Sequence, residues 1–276
     1  MLHDAVVEVQ GPAAAARRIW AMVRRYAYLI MGSLPRIVEL IYWPLVQMLL
    51  WGFLQTHLAA STSLYQDAAG LLIGSVLLWD ILLRSQFGFS LSFLEEMWSR
   101  NLSNLLMSPL RPGEYVLSLM TISMIRLFIG LLPVIFLANL FFGFNLFSLG
   151  LALGAFFANL VFAGWTIGLI ANGVVIRYGL GAESFTWIAV FLLLPICCVY
   201  YPLATLPGWL QPVAQALPPT HVFEGMRALV IHKELRLDLM LISLGLNLAY
   251  FTMAYLLFRH FLWQARNKGA LMQIGE

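Results

Sequence analysis

Six stretches of this chain are apolar for about the length a helix needs to cross a bilayer. They cover 36–57, 69–91, 116–140, 147–176, 185–205 and 237–262, against a requirement of about 20 residues. In hydrocarbon each backbone N–H and C=O must find its partner within the segment, so runs of this kind are helices. The expected fold is therefore an all-α integral membrane protein with six transmembrane helices. Composition agrees: 61% of the 276 residues are hydrophobic and 11% charged, where a soluble domain carries roughly 25% charged residues. With no internal repeat and no low-complexity linker, a single domain is expected over 36–262. A segment over 1–35 precedes it and a tail over 263–276 follows it.

The net charge is +3 and the arginines are scattered, so nucleic acid is not an expected partner. Cys197 and Cys198 are neighbours inside an apolar run and read as small core residues. The first 20 residues hold acidic side chains and no apolar core, so no cleavable signal is expected. Arginine placement sets the orientation. Arg17, Arg18, Arg24, Arg25 and Arg36 precede the first span. Arg100 and Arg111 follow the second, Arg177 the fourth, and Arg259, Arg266 and Lys268 the last. The first and third loops have no Lys or Arg, which makes both termini cytoplasmic. The fifth loop breaks this rule with Arg227, Lys233 and Arg236.

Residues 13–31 show helical periodicity, with Ile19, Met22, Val23, Tyr26, Leu29 and Ile30 on one face. Arg17, Arg18, Arg24 and Arg25 take the other. The pattern predicts a helix in the membrane interface with its arginines toward lipid phosphates. Between the second and third spans lies EEMWSRNLSNLLMSPLRPGEY, residues 95–115. As one helix over about 93–106 it turns Leu94, Met97, Trp98, Leu102 and Leu105 to one side and Glu95, Glu96, Ser99, Arg100 and Ser103 to the other. Pro109 and Pro112 end it. By residue types alone it is either a solvated loop or a docking helix for a soluble partner.

Asp80, Arg84 and Arg126 fall inside spans, where charge is expensive and marks function by default. Asp80 is expected to pair with Arg84 at i,i+4 and to lie level with Arg126. A lock between the second and third spans is the favoured reading; the alternative is a polar lining for a head group. GLALG (150–154) and GWTIG (164–168) suit close helix packing within the chain. Asn159 and Asn172 are expected to bond across helices, and Pro195 and Pro202 to interrupt the fifth span. The proline-broken stretch over 206–233 suits an outer re-entrant helical hairpin, with pieces near 208–217 and 221–231. There Thr220 is a candidate cap, Glu224 and Arg227 a candidate i,i+3 pair, and His221 a structural histidine. These residues either fix the hairpin or help gate an exit.

LWDILLRSQFGFSLSFLEEMWSRNLSNLLMSPLRPGEY, residues 78–115, resembles the coupling-helix region of the ABC type-2 exporter permeases. LPPTHVFEGMRALVI, residues 217–231, is similar to the Pro…His…Glu…Arg element that this family carries before its last span, here Pro219, His221, Glu224 and Arg227. The six-span layout with an N-terminal interfacial helix is similar too. The resemblance implies half of a transporter in a bacterial inner membrane. Two permease chains pair, a homodimer being expected, among membrane lipids, and separate ATP-binding cassette subunits dock beneath. It also implies that the cytoplasmic coupling helix, with Glu95, Glu96, Met97, Trp98, Ser99, Arg100 and Asn101 at its centre, seats in the ATPase. The chain's two lysines, Lys233 and Lys268, fit no Gly-x-x-x-x-Gly-Lys-Ser/Thr loop, so ATP and Mg are expected on the partner and no cofactor here. The five histidines make no HExxH, and no serine stands in Gly-x-Ser-x-Gly form, which argues against an intramembrane enzyme. A passive channel would not need a docking helix. The expected cargo is amphipathic or lipid-linked, with polysaccharide or drug export as the alternative.

Overall fold

A helix that carries Ser75, Asp80, Arg84, Gln86, Ser90 and Ser92 within 28 residues is poorly suited to face lipid. The computed structural model, which describes residues 11–61 and 71–267, encloses that helix in the others. The loop over 62–70 and the chain ends, with Lys268 and the rest of the tail, lie outside the described residues. The chain begins with α1 (Pro12–Met31), then α2 (Leu34–Ser61), α3 (Leu71–Trp98), the short α4 (Leu102–Met107) and α5 (Pro112–Phe142). There follow α6 (Leu151–Tyr178), α7 (Phe185–Ile196), α8 (Gln211–Gln215), α9 (Pro218–Arg227) and α10 (Leu237–Asn267). Among the described residues there is no strand.

α3 is the axis of the bundle. It packs on α5, α6 and α2, and its polar side chains are buried from Ser75 to Glu96. α10 lies against α6, and α9 is held between them. α2 and α10 are peripheral, with Val38, Trp43, Leu50 and Phe53 of α2 and Leu241, Leu248 and Leu256 of α10 exposed. That is the expected dress of helices in hydrocarbon, where apolar exposure costs nothing.

Five helices are long and apolar enough to cross a membrane: α2, α3, α5, α6 and α10. The fifth expected span, 185–205, is not one helix. α7 stops at Ile196 after 12 residues, about 18 Å of rise against a hydrocarbon core of about 30 Å. Pro195 and Pro202 supply no N–H to continue the ladder, and the chain turns at Cys198 (φ 56°) into a 3-10 turn, Leu203–Thr205. The two short pieces expected after it are present as α8 and α9. α9 runs on into a π-helical turn, Ala228–His232. Thr220 is not its cap: Leu217 holds that position with Pro218 first in the helix, where a missing N–H costs nothing.

The small-residue pairs of α6 differ. An added Cβ at Gly164 would run into Ser85 Oγ and lie 2.6 Å from Leu82 O, and one at Gly168 would lie 3.0 Å from Phe89. GWTIG is thus the seam where α6 meets α3 backbone to backbone. At Gly154, in GLALG, a Cβ would meet nothing within 4 Å. Asn159 bonds across helices as expected, accepting from Asn247 Nδ2 of α10 at 3.0 Å through its main-chain oxygen and at 3.2 Å through Oδ1. Asn172 is fully buried, but its amide makes no hydrogen bond among the described residues. Gly164→Val therefore should cost about 1–3 kcal/mol through overpacking and lower the melting temperature of the detergent-solubilised chain. Gly154→Val should leave that temperature unchanged.

Candidate functional site

The stretch at 93–106, expected as one helix with a water-facing polar side, is two structures. Residues 93–98 are the last turn and a half of α3. The helix ends in a Schellman-type turn, in which Arg100 N–H donates to Met97 O (3.0 Å) and Asn101 N–H to Glu96 O (2.9 Å). Arg100 stands in the left-handed region at φ 53°, a place glycine usually fills and an L side chain enters at about 1–2 kcal/mol. α4 then completes the tip.

The two glutamates do not face outward. Glu96 is 1% exposed and takes Arg25 of α1 as a fork, Nη1 to Oε1 at 2.6 Å and Nη2 to Oε2 at 3.0 Å. Asn101 Nδ2 adds a bond to Oε2 at 2.8 Å. Glu95 accepts from Arg126 Nη2 of α5 at 3.0 and 3.1 Å, with Arg36 of α2 at 3.6 Å. A helical wheel separates polar from apolar sides. It cannot say whether the polar side meets water or the arginines of another helix.

The far end of the tip is clamped in the same way. Glu114, in the first turn of α5, accepts from Arg18 Nε at 2.9 Å and Nη2 at 2.6 Å, and from the Arg111 N–H at 3.0 Å. Arg18 and Arg25 are seven residues apart, two helical turns, and so share a face of α1. That helix buries Met22, Val23, Tyr26 and Ile30 against protein. Burial, beside Tyr115 and Glu96, holds the Tyr26 phenol far above its ordinary range, so it stays protonated. The Glu114 bond likewise raises Arg18 above the usual arginine value. Of the four arginines expected on lipid, Arg18 and Arg25 turn inward to carboxylates. Arg24 remains exposed, its Nη2 near Tyr28 Oη at 3.4 Å, and Arg17 is exposed as well.

What the tip does present outward is Trp98, Ser99, Arg100, Asn104 and Met107. Met97, by contrast, is buried. Trp98 Nε1 donates to Glu183 Oε2 at 2.7 Å, tying the tip to the α6–α7 connection.

Deeper in the bundle, Asp80 and Arg84 form the expected i,i+4 ion pair, at 3.9 Å. Arg126 does not join them. Gly88 of α3 abuts Ser123 of α5, with 2.9 Å from an added Cβ to Ser123 Cα. That register sets Arg126 below Asp80, and its long side chain reaches for Glu95 near the helix end. Arg84 lines a cleft of about 690 Å³ between α2, α3 and α7. Trp43, Phe87, Trp187 and Phe191 form its aromatic wall, and Phe87 lies 4.7 Å from Trp187 between ring centroids. Arg36, Glu95 and Arg126 close one end.

The α8–α9 hairpin is internally bonded. Arg227, 6% exposed, donates to Glu224 Oε1 at 2.7 Å and to Val199 O at 3.4 Å. Glu224 Oε1 also accepts the Leu203 N–H at 2.8 Å, and His221 Nε2 lies 2.7 Å from Gln215 O. Ser243 Oγ of α10 bonds Pro218 O beside the buried Pro219. Sequence reasoning missed Glu114, Glu39 and the Trp187–Phe191 wall. Only Glu114 carried a signal, as a carboxylate three residues after Arg111 in the position of a helix capping box.

A sequence model of the ABC-2 type transporter family matches residues 15–231, from within α1 through α9. The chain belongs to the ABC-2 type transporter family. No curated protein matches it significantly. As an ABC-2 type membrane domain the chain is a multi-pass permease and not itself an ATPase, and in its family such permeases pair with an ATP-binding cassette subunit. The matched region holds all three clamped carboxylates, the cleft and the α9 ion pair. In this permease the Arg25–Glu96 fork is half-exposed on its arginine side, which reduces its worth. A double-mutant cycle with Arg25→Gln and Glu96→Gln should return a coupling of about 1–2 kcal/mol, read from thermal melts of the solubilised chain.

Proposed function

We propose that this permease is the membrane subunit of an ATP-driven exporter, moving an amphipathic or lipid-linked cargo outward through a dimer. The observation that carries the reading is the clamped tip at 98–111. A loop that only joins two spans has no need of three buried or half-buried carboxylates gripped by arginines of three other helices. Such a base suits an element that must carry force from a separate ATPase into the bundle without bending. The exposed surface for that partner is Trp98, Ser99, Arg100 and Asn104, while Glu95, Glu96 and Asn101 act beneath it as the base.

The arginine distribution supports cytoplasmic termini and a cytoplasmic tip in a bacterial inner membrane, with α1 along the interface. The sixth crossing is then α7 together with the turns to residue 205, and α8–α9 is a hairpin entering from the outer side. Its internal bonding supports a fixed plug, and the burial of Arg227 accounts for arginine on that side. Apolar surface left on α2 and α10 is available to lipid and to a second permease chain. The cleft's aromatic wall and few charges favour an amphiphile over a free ion; drugs and polysaccharides are the alternative cargoes.

Purification in mild detergent from the native host should recover an ATPase with the chain. Arg100→Glu should abolish that recovery without lowering the chain's melting temperature. Arg100→Gly should raise stability by up to about 1 kcal/mol while weakening ATPase recovery. A folded chain that never brings down a nucleotide-hydrolysing partner would end the exporter reading.

A further inference from the structure

Arg84 has more hydrogen-bonding capacity than the protein uses. Its side chain is 9% exposed and its nearest carboxylate, Asp80, stands 3.9 Å away, a charge contact outside hydrogen-bond range. Its Nε has no hydrogen-bond partner among the described residues. A guanidinium offers five donors and does not shed its charge, so unspent donors in the interior of a spanning helix carry a real cost. The side chain lines the 690 Å³ cleft. The other charges there are Arg36, Glu39, Glu95 and Arg126; Glu95 already serves Arg126 and Arg36, and Glu39 is the one remaining carboxylate on the wall. Trp43, Trp187 and Phe191 are 55%, 39% and 49% exposed. The rim is therefore apolar and aromatic, and the cleft opens sideways onto the flank of the bundle where lipid chains lie.

We propose that this cleft binds a phosphate-bearing amphiphile, its head group on Arg84 and its apolar body along Trp43, Phe87 and Trp187. Planar guanidinium and phosphate oxygens match as a two-point fork, and the volume suits a head group with the first part of a chain. The inference rests on the reading of the chain as a permease for amphipathic cargo and names the head-group class for that path.

The test uses the full chain, with any ATPase it carries, in a neutral sterol-based detergent. Fluorescently labelled tetradecyl phosphate is the probe, and unlabelled tetradecyl phosphate, tetradecyl maltoside and inorganic phosphate are the competitors. Tetradecyl phosphate should bind at least roughly tenfold tighter than the maltoside, and inorganic phosphate should compete poorly. Because Arg84→Gln alone strands Asp80, the main variant is Asp80→Asn with Arg84→Gln, which removes both charges together. It should keep the melting temperature and lose the preference for phosphate. If that pair does not fold, Trp187→Ala on the rim should weaken the probe several-fold. Equal binding of phosphate and maltoside overturns the proposal. So does a folded double variant that keeps its preference, or a Trp187→Ala chain with unchanged affinity. Displacement by inorganic phosphate as effective as by the alkyl phosphate makes the site one for free anions and overturns it too. Absence of an ATPase with phosphate preference intact would sink the exporter reading alone; an ATPase present without the preference would sink this inference alone.

Discussion

A carboxylate withdrawn from water must find a cation, and the architecture of this permease follows from how three of them do so. Glu95, Glu96 and Glu114 flank the tip between α3 and α5, and each is bonded to an arginine on a different segment of the chain. Removing one partner of such a pair is far costlier than the pair is worth, since the other is left with its desolvation unrepaid. The consequence is register more than stability. α1 is held against the bundle by two forks two turns apart, and α5 is held to α3 by Arg126. The position of the tip relative to α1, α2 and α5 is therefore fixed at one end of the bundle, while the helices elsewhere meet mainly through apolar surface.

Much of this was legible in the sequence, and the failures have a common cause. Helix positions followed from apolar length, because hydrocarbon leaves a backbone no alternative. The i,i+3 and i,i+4 pairs, Glu224 with Arg227 and Asp80 with Arg84, were also readable, since helical spacing alone brings them together. Pairing between helices was not. Arg18 and Arg25 read as lipid-facing because a wheel records which side is polar and says nothing of what lies beyond it. Arg126 was set beside Asp80 by counting from span ends. The true register is set by Gly88 against Ser123, a contact that no count from a loop supplies. Arg227 could be read as misplaced but not as bonded to Val199 and to the Glu224 that also holds Leu203.

The fifth apolar run failed for a different reason. Its length satisfied the spanning rule, but Pro195 and Pro202 stand seven residues apart and each withholds a donor. α7 keeps its apolar face and ends early, and the chain completes its path in turns that would be untenable against lipid. They persist because Cys197, Cys198 and Val199 are fully buried in protein. The family match begins inside α1 and ends within the π turn after α9, so the elements whose form departs most from simple spans lie within the matched region.

Clamp and cleft are not independent structures. Arg36, Glu95 and Arg126 form both the α3 side of the clamp and the end wall of the cleft. On the proposed coupling, force on the exposed tip reaches Glu95 within a single helical turn, with no flexible loop between. Any tilt of that turn moves Glu95 against Arg126 and Arg36 and so changes the charge at the cleft's end. Arg84, two to three turns further along the same helix, would shift with it as a rigid body. A lever and a binding wall on one continuous helix need no relay of side chains between them, and this is the simplest physical reason for α3 to run unbroken from Leu71 to Trp98 while carrying polar groups that a peripheral helix could not bury.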